Sequence, residues 1–287
     1  MFTRRIVTPV AQFISSLRFS LRDLRRRIAL LLLLAAASPA WAATLTVTTN
    51  ADSGAGSLRA QIAAAASGDT IVFAAALDGA TISLTTFVND LTTGSTQFGP
   101  SAFFISGSKS LTIDALANGL TQGVVIARSS VVGTANFRLF DVGSGSSLTL
   151  RGVTLANGYA EGGHSANGGG ALGAGGAIFN QGVLTLDRCT LTGNTALGGR
   201  GSSNAGSTGG GGVGQNSSHS GGGPNGGAGG ATSFGGVDGG TGGDGGFGGG
   251  GGDGGWVAAS DPSNAGHAGS GGFGGGGGTG GHTPGSG

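Results

Sequence analysis

Only one cysteine, Cys189, occurs in 287 residues, so no disulfide can form within the chain. Cations are nearly as scarce. Of 14 lysines and arginines, seven (Arg4, Arg5, Arg18, Arg22, Arg25, Arg26 and Arg27) crowd ahead of Ile28. The rest of the chain keeps seven, with Lys109 its one lysine, against twelve carboxylates, a net charge of −5. A mildly acidic body offers phosphate backbones no basic footprint, which excludes nucleic acid as a partner. The apolar run Ile28-Ala29-Leu30-Leu31-Leu32-Leu33-Leu34-Ala35-Ala36-Ala37 is ten residues long, short of the roughly 20 that span a bilayer. The alternating amphipathic strands of a terminal membrane barrel are missing too.

That run has another reading. A basic, amphipathic stretch precedes it and Ala40-Trp41-Ala42 follows it with a small-x-small pattern. The order predicts a secretory signal with an extended n-region over 1–42 and a mature chain that begins at Ala43. Export places the protein at the cell surface or in the medium, with the membrane met only through export or a separate anchor. Cys189 lies too far from the cleavage pattern for lipid attachment by the usual route.

The most informative stretch occurs twice. Leu148-Thr149-Leu150-Arg151-Gly152-Val153-Thr154-Leu155 aligns with Leu184-Thr185-Leu186-Asp187-Arg188-Cys189-Thr190-Leu191 at a separation of 36 residues. Apolar residues alternate with threonine at the strand period of two, and the parity slips by one at the polar pair. A straight strand would send Val153 and Leu155 to the face opposite Leu148 and Leu150. A bend at Arg151-Gly152 and at Asp187-Arg188 lets all of them point into one interior, and Cys189, in the place of Val153, becomes a small core residue. Strands bending at fixed corners and stacked around an apolar interior predict a parallel β-helix over 43–197.

Further strands are predicted at 45–49, 69–73, 81–84, 103–106, 111–114, 124–128 and 137–142, with glycine, asparagine and serine turns between them. Ser57 is placed to N-cap a short helix over 58–66, with Leu58, Ile62 and Ala66 on one face and Gly68 as its stop. Such a helix covers the open apolar end of the stack, making 43–73 an N-terminal cap with Arg59 as a solvated or cap-pairing residue. Residues 89–100 form an insertion large enough to project as a contact surface.

These residues carry a resemblance. Gly175-Gly176-Ala177-Ile178 matches the G-G-A-I motif of the polymorphic outer-membrane protein repeats. Leu191-Thr192-Gly193-Asn194 resembles their F-x-x-N motif, with leucine in the place of phenylalanine. Ser57-Leu58-Arg59 with Gly68-Asp69-Thr70-Ile71-Val72-Phe73 is similar to the start of secreted β-helix proteins. The resemblance implies a right-handed, pectin-lyase-like β-helix of the autotransporter-passenger kind, presenting loops and strand faces to a host or cell-surface protein or polysaccharide. The alternative within that fold is a carbohydrate-active protein, binding polysaccharide or acting as a lyase or hydrolase.

Cleavage of that kind needs clustered carboxylates or a metal with a base. Asp52, Asp69, Asp78, Asp90, Asp114, Asp141, Glu161 and Asp187 are scattered, so no catalytic residue and no cofactor is assigned and the chain is read as a non-enzyme. Glu161 and His164, three residues apart, suggest a metal pair without further ligands at usable spacing; a solvated loop over 158–175 is the expectation.

The remainder, 198–287, holds most of the glycine: 42 of the 68 lie from Gly201 onward. Glycine loses the most backbone freedom on folding, and few apolar side chains are present to offset it, so this tail is expected to be largely disordered. Two tandem nonapeptides, 239–247 and 248–256, resemble the calcium-binding G-G-x-G-x-D-x-U-x repeat of exported toxins, with Phe247 and Trp256 one place late. They make Asp244 and Asp253 weak metal candidates. A glycine-rich sandwich of extended strands is the competing expectation.

Overall fold

A computed structural model describes residues 42–88, 98–201, 209–218, 220–222, 225–230, 239–256 and 265–281. The chain divides into two compact units, Met1–Trp41 and Ala42–Gly287, and every described residue lies in the second. The leader 1–41 and most of the insertion at 89–100 therefore lie outside the described residues.

The fold is mostly β. Its strands are β1 (Thr44–Val47), β2 (Thr70–Phe73), β3 (Thr81–Leu84), β4 (Ser101–Ile105), β5 (Ser110–Asp114), β6 (Val124–Arg128) and β7 (Arg138–Val142). They continue as β8 (Ser147–Arg151), β9 (Val153–Ala156), β10 (Tyr159–Glu161), β11 (Ile178–Asn180), β12 (Val183–Asp187), β13 (Thr190–Thr192) and β14 (Thr195–Leu197). All four sheets are parallel: β1-β2-β5-β8-β12, β3-β6-β9-β13, β4-β7-β11 and β10-β14. From β2 onward the chain thus visits the first sheet, then the second, then the third, and returns to the first one strand further along, with β10 and β14 of the fourth sheet following β9 and β13.

Register puts like on like. Leu111, Leu148 and Leu184 are neighbours across the first sheet, as are Ile71, Ile113, Leu150 and Leu186; Ile82, Ile126, Leu155 and Leu191 form the matching row of the second. The buried members of these rows belong to the core, with the Phe103 and Phe140 rings 5.1 Å apart on the third sheet. The corners fall at the polar pairs. Gly152 and its counterpart Arg188 both have left-handed backbone, φ 65° and 53°, which turns the strand and restores the inward parity of Val153 and Cys189.

One expectation fails at the end of the stack. Leu148, Leu150, Val153 and Leu155 are buried, but Leu186 is 41% and Leu191 49% exposed, and Leu184 and Cys189 are half-buried. They continue the interior rows, yet β12, β13 and β14 are the last strands of their sheets, and among the described residues no further strand pairs beyond them.

The other end is closed. Helix α1 (Leu58–Ala64) is N-capped by Ser57, whose hydroxyl accepts from the Ala60 amide, and it buries Leu58 and Ile62. It stops two residues before the expected Ala66. Arg59 pairs with Asp52 at 2.7 Å, donates to the carbonyls of Ala102 and Thr86, and lies 4.9 Å from the Phe103 ring. Asp69 fastens the cap to the first strand by accepting the amides of Ala43 and Ala66, each at 2.7 Å.

The glycine-rich segment corrects the expectation of disorder for its described residues, which form extended threads packed side by side. Donors at every third residue, Gly242, Gly245, Gly248, Gly251 and Gly254, bond to the carbonyls of His267, Ser270, Phe273, Gly276 and Thr279. Other residues of the same threads bond to other neighbours: Gly243 and Gly246 to Ala228 and Asn225, Gly252 and Gly255 to Gly243 and Gly240. A three-residue repeat with no bonds inside a thread is the geometry of a polyproline-II-type helix. The backbone amides, which the composition argument left out, supply the cohesion. Close approach requires glycine: a Cβ on Gly252 would overlap the Ala228 carbonyl oxygen, and one on Gly250 that of Gly169. Gly168–172, expected in a solvated loop, is one of these threads, and Gly168, Gly169 and Ala171 are buried.

Candidate functional site

Where β10 meets the glycine threads, a cavity of about 210 Å³ is lined by Asn136, Arg138, Tyr159, Glu161, His164 and Asn216, with Pro100 and small residues between them. Its members come from distant parts of the sequence. Parallel pairing of β10 with β14 fixes Tyr159 and Glu161 on one side. A bond from the His164 amide to Asn216 Oδ1, at 2.9 Å, draws the threads over the other.

Arg138 lies behind this cavity and is almost fully buried. Its guanidinium donates to the carbonyls of Phe98 (2.6 Å), Ala174 (3.3 Å) and Gly99 (3.4 Å) and lies 5.1 Å from the Phe179 ring. Phe98 stacks on Phe179 in turn, at 4.8 Å. Among the described residues, the carboxylate that pairs with it is Asp141, at 4.0 Å. Burial dominates both partners. It pushes Asp141 up to about 6 against the pull of Arg138, and pulls Arg138 down to about 10 against the pull of Asp141. Asp141 Oδ1 and Arg138 Nε are buried without hydrogen-bond partners, so the pair is costly to maintain.

The Glu161–His164 pair is real in space, with Nε2 3.3 Å from Oε1. Its chemistry is constrained by the other ring nitrogen, which accepts the Arg200 amide at 2.8 Å. The imidazole is thereby held as the Nε2–H tautomer, its one lone pair committed to backbone. It is not poised as a base or a metal ligand. Among the described residues no group of three or more His, Cys, Asp or Glu side chains is placed to hold a metal ion.

Asp244 and Asp253 do not converge. Asp244 accepts the Ser270 amide at 2.7 Å, and Asp253, buried, accepts the amide and hydroxyl of Thr279, each at 2.8 Å. Both contacts join residues 26 apart and fasten one thread pair to the next. The sequence carries the signal for this: 239–256 matches 265–282 at that spacing, placing Phe247 with Phe273 and the two aspartates with Ser270 and Thr279. Reading a nine-residue tandem concealed it. Phe247 and Phe273 stack at 5.7 Å on neighbouring turns.

The motif residues tie the stack together. The Asn194 carboxamide accepts the Gly158 amide at 2.8 Å and donates to the Leu155 carbonyl at 2.9 Å. Arg151 bridges Asp114 at 2.6 Å and Asp187 at 3.0 Å, a charge ladder across three strands of one sheet. The hydrogen bond Arg151 donates to Asp187, together with proximity to Asp114, raises the Arg151 value, and the same bond lowers that of Asp187. Cys189, half-buried, directs Sγ to the Leu150 carbonyl at 3.3 Å. Compared with protein-family models, curated proteins and solved structures, the chain matches none of them.

Proposed function

We propose that the chain is an exported structural or adhesive module of the cell surface or medium, built as a right-handed parallel β-helix that carries a bundle of glycine threads. What supports the reading is where its conspicuous polar residues go. Asp52 and Arg59 lock the cap, Asp114, Arg151 and Asp187 form a ladder, Asn194 staples a corner, and Asp244 and Asp253 fasten threads. Side chains spent in this way make a rigid scaffold. The leader pattern over 1–42 supplies the route out of the cell. Surface labelling of intact cells together with N-terminal sequencing tests the reading. Labelled protein that begins at Ala43 supports it; protein retained inside with Met1 intact overturns it.

A carbohydrate-active reading has one observation in its favour, the polar cavity with Tyr159 on its wall. The cavity is smaller than the roughly 300–1,000 Å³ of drug-sized ligand sites, so it suits one small polar group rather than a polymer chain. Glycan-array binding that is lost in Tyr159→Ala would establish this second reading.

A further inference from the structure

A groove of about 630 Å³ runs between three glycine threads, 168–171, 198–201 and 274–279. Its walls are almost wholly backbone. Among the residues lining it, two pairs keep the three-residue spacing of the bundle: Gly198 and Gly201 on one wall, Gly274 and Gly277 on another, with Gly280 next along the same thread. None of these five donates or accepts a hydrogen bond among the described residues, whereas glycines between them, Gly199, Gly275, Gly276 and Gly278, are all bonded to neighbouring threads. Space agrees at Gly198, Gly277 and Gly280. A Cβ on Gly277 or Gly198 would have nothing nearer than 3.8 Å and one on Gly280 nothing within 4 Å, whereas one on Gly201 would meet Gly168 backbone, one on Gly274 the Leu172 side chain, and one on Gly278 the Gly252 carbonyl oxygen. Among the described residues, the groove has the outline and the unpaired amides of an unfilled thread position.

We propose that this groove is a self-association site, filled by the glycine thread 275–281 of a second copy of the chain. Its chemistry limits the occupant to an extended segment with glycine at every third place, because any Cβ on the inner side would meet backbone. The segments 202–208, 231–238, 257–264 and 282–287 contain no two glycines three apart, so none of them supplies that row. Thread 275–281 does supply it, with Gly277 and Gly280 on its open side, and it borders the groove itself. The contact is therefore reciprocal: the thread of each copy enters the groove of the other, and the pair closes as a twofold dimer. It continues an interface the bundle already uses between its own threads. The interaction belongs to the bundle and stands or falls apart from the reading for export.

Light scattering of the purified protein over a concentration series tests this directly. The expected result is a twofold rise in mass with concentration for the unaltered chain and monomer throughout for Gly198→Leu/Gly277→Leu, with the melting temperature of the monomer unchanged because both side chains enter open space. Hydrogen exchange should slow at the Gly274, Gly277 and Gly280 amides as the dimer forms. An unaltered chain that stays monomeric overturns the proposal, and so does a dimer that survives the double substitution. A dimer abolished instead by Leu186→Lys would place the contact at the open end of the stack and equally overturn it.

Discussion

At the scale of single residues, the two corner positions Gly152 and Arg188 offer a controlled comparison. Both are left-handed, but only one is glycine. An L-residue there costs about 1–2 kcal/mol, partly offset by its lower freedom in the unfolded chain, about 0.4–1 kcal/mol. Arg188→Gly should therefore leave stability unchanged or raise it by up to about 1.5 kcal/mol, whereas Gly152→Ala should lower it, since its Cβ would also press on Leu116; urea melts of the two variants check this. Two buried or half-buried carboxylates give stability opposite dependences on pH. Burial pushes Asp52 up, but the bonds from Arg59, Thr85 and Thr86 outweigh it and hold it at about 2. Its contribution is present above the ordinary aspartate range and is lost as pH falls from about 4 toward 2. Asp141, raised to about 6, binds its proton more tightly when folded, so its burial cost is relieved as pH falls from above 6 toward 4. Melting temperature should accordingly rise on acidification from pH 7 to pH 5, and that rise should vanish in Asp141→Asn; a slope unchanged in the variant would show that another group titrates. Asp69 adds a consequence of processing. Cleavage after Ala42 would turn the amide it holds at 2.7 Å into an ammonium, and Asp69→Asn should then destabilise a chain beginning at Ala43 more than one that retains its leader.

Elements were the scale at which the sequence spoke most clearly. The period-two alternation with its slip at a polar pair located β8, β9, β12 and β13 and their register, because side-chain parity in a strand is a local geometric fact. Ser57, Leu58 and Ile62 located α1 in the same way. Burial along the last strands was not legible, since it depends on what lies beyond them: Leu150 and Leu186 read alike, yet one is fully buried and the other 41% exposed. Leu150→Asp should be severely destabilising, by several kcal/mol, while Leu186→Asp should cost far less, its carboxylate reaching water. Equal losses in the two denaturation midpoints would mean that the end of the stack is covered in solution. The cavity was likewise hidden, because Asn136, Tyr159, His164 and Asn216 meet only through strand pairing and thread packing that no local pattern encodes. Asn194→Ala, which breaks both bonds of its corner, should lower stability by about 1–3 kcal/mol, read from the same melts.

For the molecule as a whole, the glycine threads change what should be expected of the C-terminal third. Limited proteolysis should leave the described threads intact in millimolar calcium and in chelator alike, since Asp244 and Asp253 fasten the threads through Ser270 and Thr279. Protection confined to the calcium arm would restore a metal role for both. Composition misled here because it counts side chains, and these threads cohere through amides that composition does not display. The same packing bears on inheritance. Every amino-acid replacement of a glycine adds a Cβ, and at Gly250, Gly252, Gly275 and Gly278 that atom would fall on a carbonyl oxygen of a neighbouring thread. No missense change at those codons is conservative, however small the new side chain. A stretch that looks like low-complexity filler is then a dense mutational target, where drift toward alanine or serine is disallowed at the positions that touch and spares the fold of a single copy only at places, such as Gly198 and Gly277, that face open space.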